Sequence, residues 1–227
     1  MQKKKLLIAL LFAVFLVLLS HVGTRMTAAQ PAFSFAAEEE KQVFLTFDDG
    51  PSTVVTNRIL DVLSREKVQA TFFIVSDRAE TRKETLLRIA REGHTLGVHS
   101  KTHEYAKIYA SNASLLADAR ACAAFIASVT GKMPDVYRFP GGQGTRAQRE
   151  LLEREGFRVV SWNASCGDEE IAGASADMLV RKSAESAANK RRVVLLCHDS
   201  APHRATAEAL PRIIAHFRAQ GYCFCAF

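Results

Sequence analysis

From residue 43 to the C-terminus, seven short apolar segments alternate with stretches of helical periodicity, and that alternation restricts the chain to very few folds. The strand-like segments lie near 43–47, 70–75, 95–98, 136–139, 157–162, 193–197 and 222–226. Between them, Ile59-Leu60-Val62-Leu63, Leu86-Leu87-Ile89-Ala90, Leu115-Leu116 through Ile126-Val129, and Leu210-Ile213-Ile214-Phe217 repeat apolar residues at helical spacing. Strands that alternate with helices argue for a parallel sheet, because each helix returns the chain to the start of the next strand. Seven such units predict an α/β single-domain distorted (β/α)7 barrel with parallel strands, spanning residues 37–227. This length supports a full core, and no internal repeat, low-complexity tract or proline-rich linker divides it.

The first 36 residues stand apart. Lys3-Lys4-Lys5 followed by the unbroken apolar run Leu6 to Leu19 has the basic and apolar regions of a signal peptide, with small-residue cleavage patterns ending at Ala29 and Ala36. The run is short for a spanning helix, which needs about 20 residues, so cleavage is expected ahead of retention as a membrane anchor. Either way the product is exported, secreted or tethered to the outer face of the cytoplasmic membrane. The export segment also accounts for the charge. The chain holds 30 Lys and Arg against 24 Asp and Glu, but Lys3, Lys4, Lys5 and Arg25 all precede the first acid, Glu38. The remaining 26 cations against 24 anions leave no nucleic-acid footprint.

Five cysteines in an exported chain raise the prospect of disulfides, but the count is odd and a domain of this size needs no staples. Cys122 falls in a helical pattern, Cys197 in a strand, and Cys223 and Cys225 in the last strand; small buried hydrophobes are expected. Cys166 is expected near any pocket formed by its neighbours.

Chemistry concentrates where the strands end. The run Phe44-Leu45-Thr46-Phe47 stops at Asp48-Asp49 and then at the breaker Gly50-Pro51. Adjacent carboxylates repel, and a cation would relieve them; a solvated turn is the plainer alternative. His99 and His103 stand at i and i+4 after Thr95-Leu96-Gly97-Val98, and their rings converge if a helical turn begins at His99. Zincins share this spacing but place Glu after the first His, where this chain has Ser100, so a base and a third ligand must come from elsewhere. Asp48 and Asp49 can supply both. Three further groups follow: Arg138-Phe139-Pro140-Gly141-Gly142, Ser161-Trp162 through Gly167-Asp168, and Leu195-Leu196-Cys197-His198-Asp199. Each lies at the C-terminal edge of an apolar segment, where βα folds gather catalytic groups.

This ordered set of five motifs resembles the polysaccharide deacetylases of carbohydrate esterase family 4, from about Lys41 to the C-terminus. The resemblance implies a metal-dependent hydrolase. Asp48 would be the general base, and Asp49, His99 and His103 would hold a divalent metal ion, zinc first among candidates. Arg138 would hold the Asp48 carboxylate through a charge-assisted fork. His198 would be the general acid, tuned by Asp168. Pro140, Gly141, Trp162 and Leu196 would contact substrate, with the Gly141 N–H facing the oxyanion. Family members often carry Tyr at the Gly141 position, Asp at Ser165 and Trp at Glu169. The implied partner is an acetylated polysaccharide, peptidoglycan N-acetylglucosamine first, with a monomer expected. Alternatives are an O-acetyl ester hydrolase on xylan, a chitin deacetylase, or a carbohydrate-binding wall protein without catalysis. Metal-dependent phosphoryl transfer would share the Asp pair, but no phosphate-cradling glycine loop accompanies it. His94, His203 and His216 show no partner pattern, and Asp199 is expected to cap the helix that follows it.

Overall fold

The computed structural model describes residues 40–227; the predicted export segment at 1–36 lies outside them. Eight strands are present: β1 (Gln42–Gly50), β2 (Thr71–Val75), β3 (Thr95–Ser100), β4 (Val136–Tyr137), β5 (Arg158–Val159), β6 (Ala164–Ser165), β7 (Arg192–His198) and β8 (Cys223–Cys225). Every pairing is parallel, in the order β5-β4-β3-β2-β1-β7-β6, with β8 beside the start of β1. β5 and β6 stand at opposite ends of this order yet are joined by residues 160–163. The sheet therefore curls into a barrel whose seam is closed by chain instead of a hydrogen-bonded ladder. This is the predicted parallel barrel, except that the strand expected at 157–162 is only the short β5 at 158–159, and an additional strand, β6, follows at 164–165. Trp162 lies in the loop between the two.

β1 shows why the sequence folds this way. It is buried almost throughout, as a central parallel strand covered on both faces must be. Val43, Leu45 and Phe47 join the core between sheet and helices, while Thr46 and Asp48 alternate to the barrel interior, where both meet Arg138. The helices that cover the outer face bury apolar stripes: Ile59, Leu60 and Leu63 on α1 (Val55–Glu66), Leu86 and Ile89 on Lys83–Arg91, and Leu115, Ala119, Cys122 and Ile126 on Asn112–Thr130. Local chemistry sets their ends. Ser111 accepts from the backbone N–H of Ser114 at 3.0 Å to open the helix at Asn112, and Gly131 ends it at φ +76°. Thr145 and Gln148 form a reciprocal capping box at the start of Arg146–Arg154.

Two features pack the barrel away from the C-terminal strand edge. At the N-terminal end of the strands, Phe227 stacks on Phe44 at 4.6 Å, its backbone N–H donates to Thr71 Oγ and its carbonyl accepts from Thr95 Oγ. Inside, Phe73 fills the space that Gly97 leaves: a Cβ on Gly97 would lie 2.6 Å from the Phe73 ring. The cysteines are all free thiols; Cys122 and Cys197 are buried as expected, Cys223 and Cys225 are only half-buried, and Cys166 is buried without lining the cavity at the C-terminal strand edge. Burial raises the Cys122 thiol to about 12.

Candidate active site

Five loops at the C-terminal strand edge surround a cavity of 180 Å³, and predicted residues of all five motifs line it. Asp48 and Asp49 from β1, His99 from β3, His103, Gly141, Trp162, Leu196 and His198 from β7 are all at its surface. Pro140 is buried behind this wall, its carbonyl accepting from the Tyr109 hydroxyl at 2.8 Å. Trp162 is half-buried and faces the cavity.

The two histidines converge by a different route from the helical turn expected of their spacing. His99 ends a strand, and His103 lies in the following turn with φ +62°, its backbone N–H donating to Ser100 Oγ at 2.8 Å. That left-handed residue folds the chain back so that both rings face Asp49, which is itself left-handed at φ +74°. The His103 Nε2 and His99 Nε2 atoms lie 2.9 and 3.6 Å from Asp49 Oδ1. His99 Nδ1 is 2.9 Å from the Arg138 carbonyl. A carbonyl only accepts, so Nδ1 carries the hydrogen and Nε2 presents its lone pair to the cluster. Burial lowers the His99 imidazole below its ordinary value, outweighing Asp48 and Asp49, and so favours the neutral form that binds metals. Burial alone would raise the Asp49 carboxyl, but His103, His99 and Arg78 outweigh it and hold Asp49 well below the usual carboxylate range.

These residues fit a divalent cation. Asp49 Oδ1 is buried with no aligned hydrogen bond despite the two nearby nitrogens, as expected of an oxygen that shares a ligand point with them. One carboxylate and two imidazoles, their ligand atoms all within 4.8 Å of one another, suit zinc and leave further positions open. Asp49, Glu169 and His198 form a second such group.

Arg138 is fully buried beneath the cluster, over the Phe73 ring at 4.2 Å. The fork on Asp48 expected from sequence is instead spread over three oxygens. One guanidinium nitrogen donates to Asp48 Oδ1 at 2.9 Å and Thr46 Oγ at 2.8 Å, and the other to the Ser161 carbonyl at 3.4 Å. Thr46 precedes Asp48 by two strand positions, so their shared face was legible from the period of a strand. Thr46 in turn donates to the Leu195 carbonyl at 2.6 Å, locking this network to β7.

His198 closes the opposite wall. Asp168 accepts from the His198 backbone N–H at 2.7 Å, from Nδ1 at 2.8 Å and from Thr206 Oγ at 2.7 Å. Burial works against the imidazolium, but Asp168, and then Asp48 and Glu169, raise His198 to about 9. Its ring stacks on His203 at 5.0 Å, a partner the sequence pattern did not announce. Asp199 caps no helix: the next one, Arg204–Ala219, begins five residues later. It is buried against Gly50, accepts from Thr56 Oγ at 2.6 Å, and is raised to about 7 by burial and by the nearby Asp49 and Asp48. Sequence reasoning also missed Tyr105 and Glu170 as lining residues, and treated Glu169 only as a departure from a pattern. Glu169 Oε2 lies 3.2 Å from His198 Nε2. Tyr105 sits two residues past His103 in a short helical turn, and nothing in its sequence context distinguishes it from a surface aromatic.

Comparison with known proteins agrees with this arrangement. Residues 36–160 match the polysaccharide deacetylase family model. The chain belongs to the polysaccharide deacetylase family. A peptidoglycan-N-acetylglucosamine deacetylase of Bacillus cereus is 31% identical over 189 residues, covering 82% of this chain and 85% of that protein. The Bacillus subtilis protein YheN is 35% identical over 191 residues, covering 82% of this chain and 66% of that protein. Among solved structures, a family 4 carbohydrate esterase of Streptococcus mutans superposes with a TM-score of 0.78 at 32% identity, covering 83% of this chain and 86% of that one. The superposed structure shares the fold of this chain.

Proposed function

We propose that this polysaccharide deacetylase uses zinc to hydrolyse N-acetyl groups of a cell-envelope polysaccharide, with peptidoglycan N-acetylglucosamine as its substrate, and that it acts outside the cytoplasmic membrane. The observation that carries the reading is the facing pair across one cavity: Asp48 held by Arg138 on one side, and His198 held by Asp168 on the other, with the Asp49-His99-His103 cluster between them. Relatives of 30% identity or more that bear the name of peptidoglycan-N-acetylglucosamine deacetylase support the choice of sugar. The predicted export segment supports the location.

In this mechanism Asp49, His99 and His103 hold the ion, which when bound polarises the acetyl carbonyl and acidifies the attacking water. Asp48 takes the proton of that water as its oxygen bonds to the acetyl carbon. Arg138 and Thr46 fix the Asp48 carboxylate so that its second oxygen, Oδ2, points to the cavity. The Gly141 N–H faces the negative charge that develops on the acetyl oxygen. The His198 imidazolium then passes its Nε2 proton to the departing sugar nitrogen, which leaves as an amine and not as an amide anion. Asp168 binds Nδ1–H and keeps the ring turned toward the cavity. A 180 Å³ opening admits an acetamido group and the edge of one sugar, leaving the rest of a polymer outside, which suits a glycan substrate.

The test is acetate release by the purified chain from peptidoglycan, chitooligosaccharides and acetylxylan side by side, before and after chelation and zinc restoration. Release from peptidoglycan that stops on chelation and returns with zinc is expected. Release from acetylxylan alone would replace the amide reading with an ester one.

A further inference from the structure

Gly141 leaves a gap in the cavity wall, and a side chain from another loop fills it. A Cβ built on Gly141 would lie 2.8 Å from the Tyr105 hydroxyl oxygen and 3.1 Å from the ring carbon that bears it. Gly141 also has φ +58°, a conformation that costs any side chain. The phenol of Tyr105 thus occupies the space that a side chain at position 141 would need, and the two positions are sterically coupled. The Tyr105 loop is held in place there. Its short helix, Tyr105–Ile108, is anchored by buried Ile108. The ring packs edge-on against His103 at 5.3 Å and Tyr109 at 6.2 Å. Tyr109 in turn bonds the carbonyl of Pro140, the residue just before Gly141.

Two donors in this corner are unspent. Among the described residues, neither the Gly141 N–H nor the Tyr105 hydroxyl has a hydrogen-bond partner. Tyr105 is 38% exposed and lines the same cavity as Asp48, Asp49, His99, His103 and His198. The remaining charged groups of the wall are dominated by acceptors: Asp48, Asp49, Glu169 and Glu170. An oxygen that becomes negative during reaction is repelled by those carboxylates and can be met by the two free donors.

We propose that Tyr105 is a catalytic residue whose phenolic O–H donates to the acetyl oxygen as it becomes the oxyanion, beside the Gly141 N–H. The inference rests on the deacetylase reading above and extends it to a residue outside the five motifs. It gives a physical reason for glycine at 141: any side chain there would displace the phenol.

The experiment compares wild type with Tyr105→Phe and Tyr105→Leu in steady-state acetate release from an N-acetylated glycan, with zinc affinity measured separately by chelator competition. Tyr105→Phe keeps the ring and its packing and removes only the donor. It is expected to lower kcat roughly 100-fold, the usual consequence of removing one oxyanion donor, with KM and zinc affinity within about twofold of wild type. Tyr105→Leu should lose at least as much. Unchanged kcat in Tyr105→Phe, a rise in KM alone, or a loss matched by weaker zinc binding would each overturn the proposal. If wild type is active and Tyr105→Phe equals it, this inference alone fails. If wild type releases no acetate from any N-acetylated glycan, the deacetylase reading fails and takes this one with it.

Discussion

Replacing Asp168 by Asn separates the electrostatic role of this carboxylate from its position. The side chain keeps its size, but the charge that holds a proton on His198 is gone. Burial opposes the imidazolium, and Asp168 is the first of the groups that overcome it to lift His198 from 6.5 to about 9. Without the carboxylate, the remaining pull of Asp48 and Glu169 has to offset burial by itself, and the value is expected to fall back toward the ordinary one of about 6.5. At pH 8, a group of pKa about 9 is roughly nine-tenths protonated, whereas one of about 6.5 is protonated only to about 3%. If His198 acts as the general acid, kcat/KM at pH 8 should fall about 30-fold, and the loss should shrink to about twofold or less at pH 6.

The sign is fixed by the direction of the shift. Protonated His198 is the active form, so activity is lost as pH rises through its pKa, and the variant must lose it earlier. Asn also places an amide NH2 where Asp168 receives only donors, from His198 and Thr206, which should cost about 1–3 kcal/mol of stability. The assay is kcat/KM for acetate release from pH 5.5 to 9.5, with thermal unfolding run in parallel. An equal loss at every pH, with the alkaline limb unmoved, would refute the proton-holding role and leave Asp168 as scaffolding only.

Other outcomes separate the remaining roles. Asp48→Asn should reduce kcat by roughly 10²–10⁴-fold, the range for losing a general base, while bound zinc measured by mass spectrometry stays near wild type. Asp49→Ala or His99→Ala should lose the zinc itself; equal zinc loss in Asp48→Asn would contradict the division between base and ligand. Gly97→Ala puts a methyl group 2.6 Å from the Phe73 ring, with the Val136 carbonyl 3.3 Å away on the same side. Overpacking of this kind should cost about 1–3 kcal/mol and lower the Tm by several degrees. Because Phe73 supports Arg138, kcat should fall as well, and an unchanged Tm would show that the barrel interior is less tightly filled than its geometry indicates.

The barrel and the Asp49-His99-His103 grouping were both legible in the sequence, for different reasons. Parallel strands are buried on both faces and read as apolar runs, and helices between them show their own period, so the alternation from Val43 to Phe224 announced the architecture. The site was legible because its residues are short-range groups in order along the chain, each placed by the end of a strand. Asp48-Asp49 lie in the last residues of β1 and His198 ends β7, so the period of the strand fixed their direction. Local spacing misled at His99 and His103. The same i and i+4 separation that brings rings together on a helix is met here by a strand end and a left-handed residue at His103. The capping role expected of Asp199 failed for a related reason: which groups a loop residue meets depends on the packing of Gly50 and Thr56 against it.

The sequence by itself determined the strand-helix alternation, the acid and imidazole groups of the cluster, and the edge of the sheet at which they gather, because all of these follow from local period and residue chemistry. Only the tertiary structure decided how Arg138 divides its donors among Asp48, Thr46 and Ser161, how Asp168 is shared between His198 and Thr206, and which ring fills the gap at Gly141. Those are contacts between residues separated by tens of positions: Arg138 and Asp48 are 90 apart, and His198 and Asp168 are 30 apart. Side chains so far apart meet only after the sheet has curled, and no pattern along the chain encodes the distance at which they do.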